Sequence, residues 1–118
     1  MSKLPTIAMT PMPEYGYDPI PLILSGEKVH TLRKQRNNGD KEVTVNSKRT
    51  GIIIRFSSPI ALMAREFLTD EFAYADGFRN PYPACDLEDL MYHFYGEVPE
   101  AMWCSYFKVV QRPEEETE

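Results

Sequence analysis

Lys28, Thr31 and Arg33 stand close along the chain and offer an amine, a hydroxyl and a guanidinium. A threonine hydroxyl is a weak nucleophile until a base takes its proton. A lysine amine can be that base where burial lowers its pKa towards neutrality. In an extended strand Val29, Thr31 and Arg33 share one face, and His30 and Leu32 share the other. Lys28 precedes the strand, so a turn sets its direction, and its amine could reach round to the Thr31 hydroxyl. His30 points away from Thr31 in such a strand and is a poor base for it. His93 lies among Tyr92, Phe94 and Tyr95 and reads as packing or surface. Each residue also has a bland reading: Lys28 as a solvated turn lysine, Thr31 as a β-former, Arg33 as a structural ion-pair partner.

The elements that must hold these residues follow from local patterns. Pro19 and Pro21 lead into Ile20, Leu22, Ile23 and Leu24; proline suits the first turn of a helix but not its interior. Ser25-Gly26 stops that helix, because glycine accepts the left-handed conformation of a C-cap. Upstream, Pro5, Pro11, Pro13 and Gly16 exclude a regular helix, and Thr6 to Met9 is a candidate edge strand. Tyr15 and Tyr17 either line a site near Lys28 or pack this arm onto the core.

Downstream, Asn37-Asn38-Gly39-Asp40 is a turn signal and residues 41–46 alternate as a strand. Ile52-Ile53-Ile54-Arg55-Phe56 predicts a buried central strand. Thr69 or Asp70 caps a helix over Phe72, Ala73 and Ala75 that stops at Gly77. Asp76 falls in its last turn, where the dipole disfavours a carboxylate. That placement implies some other use, an exposed side chain, or part of a helix stop. Pro81 and Pro83 make residues 79–84 a loop. Asp86 is the expected N-cap of an amphipathic helix through Leu87, Leu90, Met91, Phe94 and Tyr95, ended by Gly96. Residues 102–111 form the expected last strand, and Arg112 onward the expected disordered end.

At 118 residues and 42% hydrophobic content, the chain suits one domain with a modest core. It has no apolar run of membrane-spanning length and no apolar N-terminal signal, so a cytoplasmic location without membrane contact is expected. Cys85 and Cys104 are then expected as free thiols. Two Cys and two His without close paired spacing argue against zinc. The net charge of −5 argues against a surface coated for nucleic acid. Yet Lys28, Arg33, Lys34, Arg36, Lys41, Lys48, Arg49 and Arg55 crowd one segment against only Asp40 and Glu42. Such a segment fits a site for one anionic or nucleotide-like ligand, or else solvated strand edges.

Gly26-x-Lys28-x-x-Thr31-x-Arg33 resembles the signature of ASCH domains, a β-barrel group related in fold to PUA domains, in its Thr form. Further matches follow in order: Gly39-Asp40, Ala73-Tyr74-Ala75-Asp76-Gly77-Phe78, residues 87–96, and residues 103–110. The resemblance covers roughly Pro19 to Gln111. It implies an α+β fold, a PUA-like twisted and mostly antiparallel β-barrel with two or three short helices. The chain would divide into an N-terminal arm at 1–17, the ASCH domain at 18–112 and an acidic disordered tail at 113–118. For residues 60–68, whose composition favours helix, the family places a strand, and we expect a strand.

The Thr form is similar to that of small bacterial ASCH amidohydrolases that remove the acetyl group from N4-acetylcytidine. By position the resemblance implies Lys28, Thr31 and Asp76 as catalytic residues, with Asp76 standing where the family has Glu. A carboxylate one methylene shorter reaches less far. Arg33, Tyr17, Arg49 and the Gly26 turn would contact substrate, the backbone amides of the turn holding an oxyanion. No metal or cofactor is implied. The partners expected are a nucleoside or RNA ligand, with the chain a monomer or weak dimer. The same residues also fit a module that binds RNA or a modified nucleotide, or one that cleaves RNA.

Overall fold

The computed structural model describes residues 4–113. In chain order the elements are β1 (Thr6–Ala8), a 3₁₀ turn (Pro13–Tyr15), α1 (Pro19–Ser25), β2 (His30–Arg33), β3 (Gly39–Val45), β4 (Lys48–Phe56), β5 (Ile60–Met63), α2 (Ala64–Phe67), α3 (Asp70–Asp76), α4 (Pro83–Tyr95) and β6 (Ala101–Gln111). β6 is the strand along which the others are laid. Residues 103–106 of β6 pair with β2, residues 101–104 pair with β5, and residues 107–111 pair with β4. β2 and β5 therefore lie on opposite edges of β6, and β4 and β5 follow one another along the same edge. β3 continues the sheet from β4, and β1 joins β3 in parallel, the other pairings being antiparallel.

The fold is α+β as expected, but in place of the expected twisted, mostly antiparallel β-barrel it holds an open, mixed six-stranded sheet. β1 and β2 end the strand path, β5 lies off it beside β6, and no ladder joins β1 to β2 among the described residues. β1 is only three residues long, with Pro5 and Pro11 close on either side, and proline has no N–H to donate to a ladder. A side chain spans the gap instead: Arg33 Nη2 of β2 donates to Ala8 O of β1 at 2.7 Å.

Two apolar clusters sit in the fold. One gathers Ile7, Met9, Ile23, Val43, Ile54 and Phe107 under α1. The other joins Leu32, Phe67, Phe78, Leu87, Met91 and Met102 beneath α3 and α4. Residues of the proline-rich arm are thus core residues, with Met9 1% exposed. At the other end, Arg112 donates to Leu24 O at 2.8 Å, so the expected disorder does not begin there. Residues 114–118 of the acidic tail lie outside the described residues. Among the described residues, no helix is long and apolar enough to cross a membrane.

Two local expectations change. The strand expected over 60–68 ends at Met63, and Ala64-Arg65-Glu66-Phe67 turn helical. Ala, Arg and Glu are good helix formers, and the Glu66 carboxylate accepts from the Met63 N–H at 3.0 Å. α4 begins at Pro83, not after Asp86, so the expected loop ends sooner. Proline fits the first turn, and Asp70 of α3 accepts from the Ala84 N–H at 3.0 Å. Asp86 becomes a first-turn acid, where the dipole favours it.

α3 is built as expected at both ends. Thr69 accepts from the Phe72 N–H at 3.1 Å, and Gly77 ends the helix at φ +120°. A side chain at Gly77 would be strained by that φ, and its Cβ would lie 3.1 Å from Tyr17 Cε1. Gly77→Ala should therefore cost about 1–3 kcal/mol, read as a lower urea midpoint. An unchanged midpoint would show that the turn can relax.

Candidate active site

Lys28 turns inward because of how α1 ends. Gly26 takes φ +84°, and its N–H bonds back to Ile23 O at 3.2 Å. The Glu27 N–H is taken by Ser25 Oγ at 3.3 Å, and the Lys28 N–H by Leu22 O at 2.9 Å. This tight reversal leaves Val29 exposed and sends the Lys28 side chain into the interior, where the residue is 1% exposed. All three amides of the turn are engaged, so the oxyanion role expected of the Gly26 turn has no free donor among them.

Three acceptors surround the Lys28 amine. Nζ donates to His30 O at 2.7 Å, to Asp76 O at 2.6 Å and to Asp76 Oδ1 at 2.8 Å. An ammonium carries three protons, one for each acceptor. Asp76 Oδ1 also receives His30 Nδ1 at 3.1 Å. A carboxylate only accepts, so His30 holds its proton on Nδ1. The imidazole is clamped in turn, stacked on Phe72 at 4.7 Å and edge-on to Tyr106 at 5.3 Å between centroids. Burial pushes the Asp76 carboxyl up, but the Lys28 charge and the His30 hydrogen bond outweigh it and hold the carboxyl below its ordinary value.

Thr31 and Arg33 form a second pair beside the first. Arg33 Nε donates to Thr31 Oγ1 at 3.1 Å. A cationic donor on that oxygen favours any negative charge that develops there. Thr31, Arg33 and Asp76 line one cavity of about 560 Å³, in the range of small-molecule sites. Tyr17, Phe78 and Phe94 supply aromatic wall to it. Tyr17 stacks on Phe78 at 4.9 Å between centroids, and its ring centroid lies 5.6 Å from Lys28 Nζ. Burial raises the Tyr17 phenol above its usual value, against the pull of Lys28. The cavity lies between the two sheet edges, for Ala8 and Thr10 line it from the β1 side.

The sequence expectations sort unevenly in space. Lys28, Thr31, Asp76, Arg33 and Tyr17 come together. The expected reach of Lys28 to the Thr31 hydroxyl is corrected, since the ammonium bonds Asp76 and His30 and the hydroxyl bonds Arg33. Gly26 shapes the turn but is exposed and does not line the cavity. Arg49 lies away from the cavity on β4, where it pairs with Glu42 at 2.8 Å and donates to Leu4 O at 2.9 Å. His30, set aside in the sequence, is a member of the buried network. Its position on the strand face opposite Thr31 was legible; that α3 covers this face was not. Cys85 is exposed and Cys104 buried, and neither forms a disulfide. Burial pushes the Cys104 thiol up to about 11, with the Asp76 charge adding to the rise; a thiol so raised is a poor nucleophile. Among the described residues, no three His, Cys, Asp or Glu side chains gather to hold a metal.

Protein EF3133 from Enterococcus faecalis V583, whose crystal structure carries the family label DUF984, shares this fold. The TM-score is 0.70 at 18% identity, over 100% of this chain and 88% of that one. No protein-family model and no curated protein matches the sequence.

The buried pair makes stability depend on acid. Asp76 is held below its ordinary value, so the unfolded chain binds more protons in the interval between the two. Stability is full above the ordinary carboxyl range of about 4 and falls as pH drops through the folded value. Unfolding free energy should decline from about pH 5 towards pH 3. Asp76→Asn strands the Lys28 charge and should cost about 3–5 kcal/mol, while a Lys28→Met/Asp76→Asn double variant regains part of it. Urea titrations across pH check both. A single variant as stable as wild type would show that water reaches the amine.

Proposed function

We propose that the chain is an ASCH-type amidohydrolase that cleaves the amide of an N4-acylated cytosine nucleoside. One observation carries the reading. Thr31, Arg33 and Asp76 line one aromatic-walled cavity, and Lys28 grips Asp76 from 48 positions away. This is the same set that the resemblance to the N4-acetylcytidine enzymes names.

The contacts revise the division of roles. An ammonium with three acceptors is not a free base, so Lys28 is a positioning residue that keeps Asp76 ionised and fixed. Oδ1 of Asp76 is occupied, while Oδ2 accepts no hydrogen bond from the described residues. In this reaction Oδ2 takes the Thr31 proton across the shared cavity, directly or through a water, as Oγ1 attacks the acyl carbon. The carbon–nitrogen bond breaks, the proton passes to the departing cytosine amine, and an acyl ester remains on Thr31. Water, giving its proton to the same carboxylate, cleaves that ester to carboxylate and free hydroxyl. Arg33, donating to Oγ1, favours the alkoxide that attack requires. Tyr17 and Phe78 offer a flat wall to the base.

A second reading is a site that binds a modified nucleoside, or a base within RNA, without reaction. The lowered Asp76 carboxyl favours it, because a carboxylate that stays ionised remains a hydrogen-bond acceptor but takes a proton reluctantly.

Chromatography of N4-acetylcytidine incubated with the purified protein separates the two. Wild type should release cytidine. Thr31→Ala should lose at least about 100-fold in kcat/KM, while Thr31→Ser keeps a measurable fraction. Nucleoside bound but never cleaved at high protein concentration would favour the second reading.

A further inference from the structure

A second cleft of about 420 Å³ adjoins the cavity and shares Ala8, Arg33 and Tyr95 with it. Its distinctive lining is Arg33, Lys34 and Lys41. Three cations meet here on a chain of net charge −5. Their partners are unusual. Arg33 is held by Thr31 Oγ1 and Ala8 O. Lys34 Nζ lies 4.7 Å from the Tyr95 ring centroid. Lys41 Nζ donates to Asn37 Oδ1 at 2.6 Å, and Asn37 is itself 7% exposed. Every one of these partners is neutral. They orient the cations without cancelling their charge, and no carboxylate of the described residues lies within ion-pair distance of any of the three.

The contrast is with other surface cations of the same fold. Arg49 meets Glu42 at 2.8 Å, Arg55 meets Asp40 at 2.7 Å and Arg79 faces Glu27 at 3.8 Å. Arg36, Lys48, Arg65, Lys108 and Arg112 also have no ion pair among the described residues, so what sets Arg33, Lys34 and Lys41 apart is that three cations converge on one cleft. Among the described residues the triad in the cleft is uncancelled, and it sits next to the cavity that would take the base. Charges of one sign gathered in a cleft raise the local concentration of an oppositely charged group.

We propose that the ligand is a nucleotide rather than a nucleoside, with its phosphate in this second cleft against Arg33, Lys34 and Lys41. Arg33 is the hinge of the arrangement. Its Nε serves Thr31 in the first cavity, and its guanidinium borders the second, so phosphate and reacting hydroxyl share one side chain. A guanidinium fork is suited to that double duty, as it presents several donors in fixed directions. The proposal rests on the nucleoside reading of the first cavity, and its test is arranged so that the two fail separately.

Calorimetric titration of wild type with cytidine and with its 5′- and 3′-monophosphates is the test. One monophosphate should bind at least about tenfold more tightly than cytidine, and that ratio should shrink as salt rises. In a Lys34→Ala/Lys41→Ala double variant the ratio should fall below about threefold. Lys34→Glu, a single exposed change, should push it lower still. Equal binding of cytidine and both monophosphates, or no binding of any, overturns the proposal. So does a ten-nucleotide RNA that binds tenfold more tightly than either monophosphate, since that marks a strand track. If the monophosphate advantage is present but N4-acetylcytidine and its monophosphate both survive incubation, the phosphate cleft stands and the hydrolysis does not.

Discussion

A buried ammonium can exist in this fold only because three acceptors are brought to it at once. Lys28 is 1% exposed, and desolvating its charge would cost several kcal/mol without them. Two of the acceptors belong to Asp76, and one of those is its main-chain carbonyl. That carbonyl is among the orphans left at the C-terminus of α3. The lysine therefore satisfies the helix end and the side chain together, and a cation at a helix C-terminus is favoured by the dipole. The apparent misfit of an acid in the last turn of α3 is thereby resolved. Asp76 stands against its own helix dipole because a cation from another element compensates both.

Much of the rest of the architecture serves that contact. α1 must stop at Gly26 and reverse within two residues, or Lys28 would face solvent as Val29 does. α3 must end at Gly77, whose φ of +120° lets the chain leave beside Tyr17 without a clash. β2 must pair with β6 so that Tyr106 lies across from His30 and closes the edge of the imidazole. Opening the sheet between β1 and β2 then has a use. A closed ladder would fill the space that Ala8, Thr10, Thr31 and Arg33 line, whereas one guanidinium bridges the edges and leaves room for a ligand.

How far this was legible from sequence depends on the range of each interaction. The helix stop at Gly26, the Thr69 cap and the strand over Ile52 to Phe56 are local and were readable from residue type. The alternation placing His30 opposite Thr31 was readable too. What covers each face was not, because α3 arrives from 46 positions later. The reach of Lys28 is hidden for the same reason: Thr31 is near in sequence, while distant Asp76 outcompetes it through charge. Arg49 belongs to the basic segment but not to the site. Pairing across β3 and β4 instead commits it to Glu42. At residues 60–68 composition spoke for helix and the family frame for strand, and each holds for half of the stretch.

The pair also limits what chemistry can follow. Drawing Lys28 away to act as a base would leave Asp76 and two carbonyls without their donor, at a cost of about 3–5 kcal/mol. A reaction that leaves the pair intact avoids that cost, and Asp76 Oδ2, which accepts no hydrogen bond from the described residues, is then the candidate for proton traffic. A carboxylate held below its ordinary value is reluctant to take a proton, but it is a strong acceptor for an N–H. Ligands that present a donor next to a carbonyl are therefore favoured over those that present acceptors alone. The amide of an N4-acylated cytosine is such a group, with its N–H adjoining the carbon to be attacked. In the proposed reaction, selection and proton transfer would both depend on Asp76 Oδ2, and Lys28 would hold that oxygen in place through its bond to Oδ1.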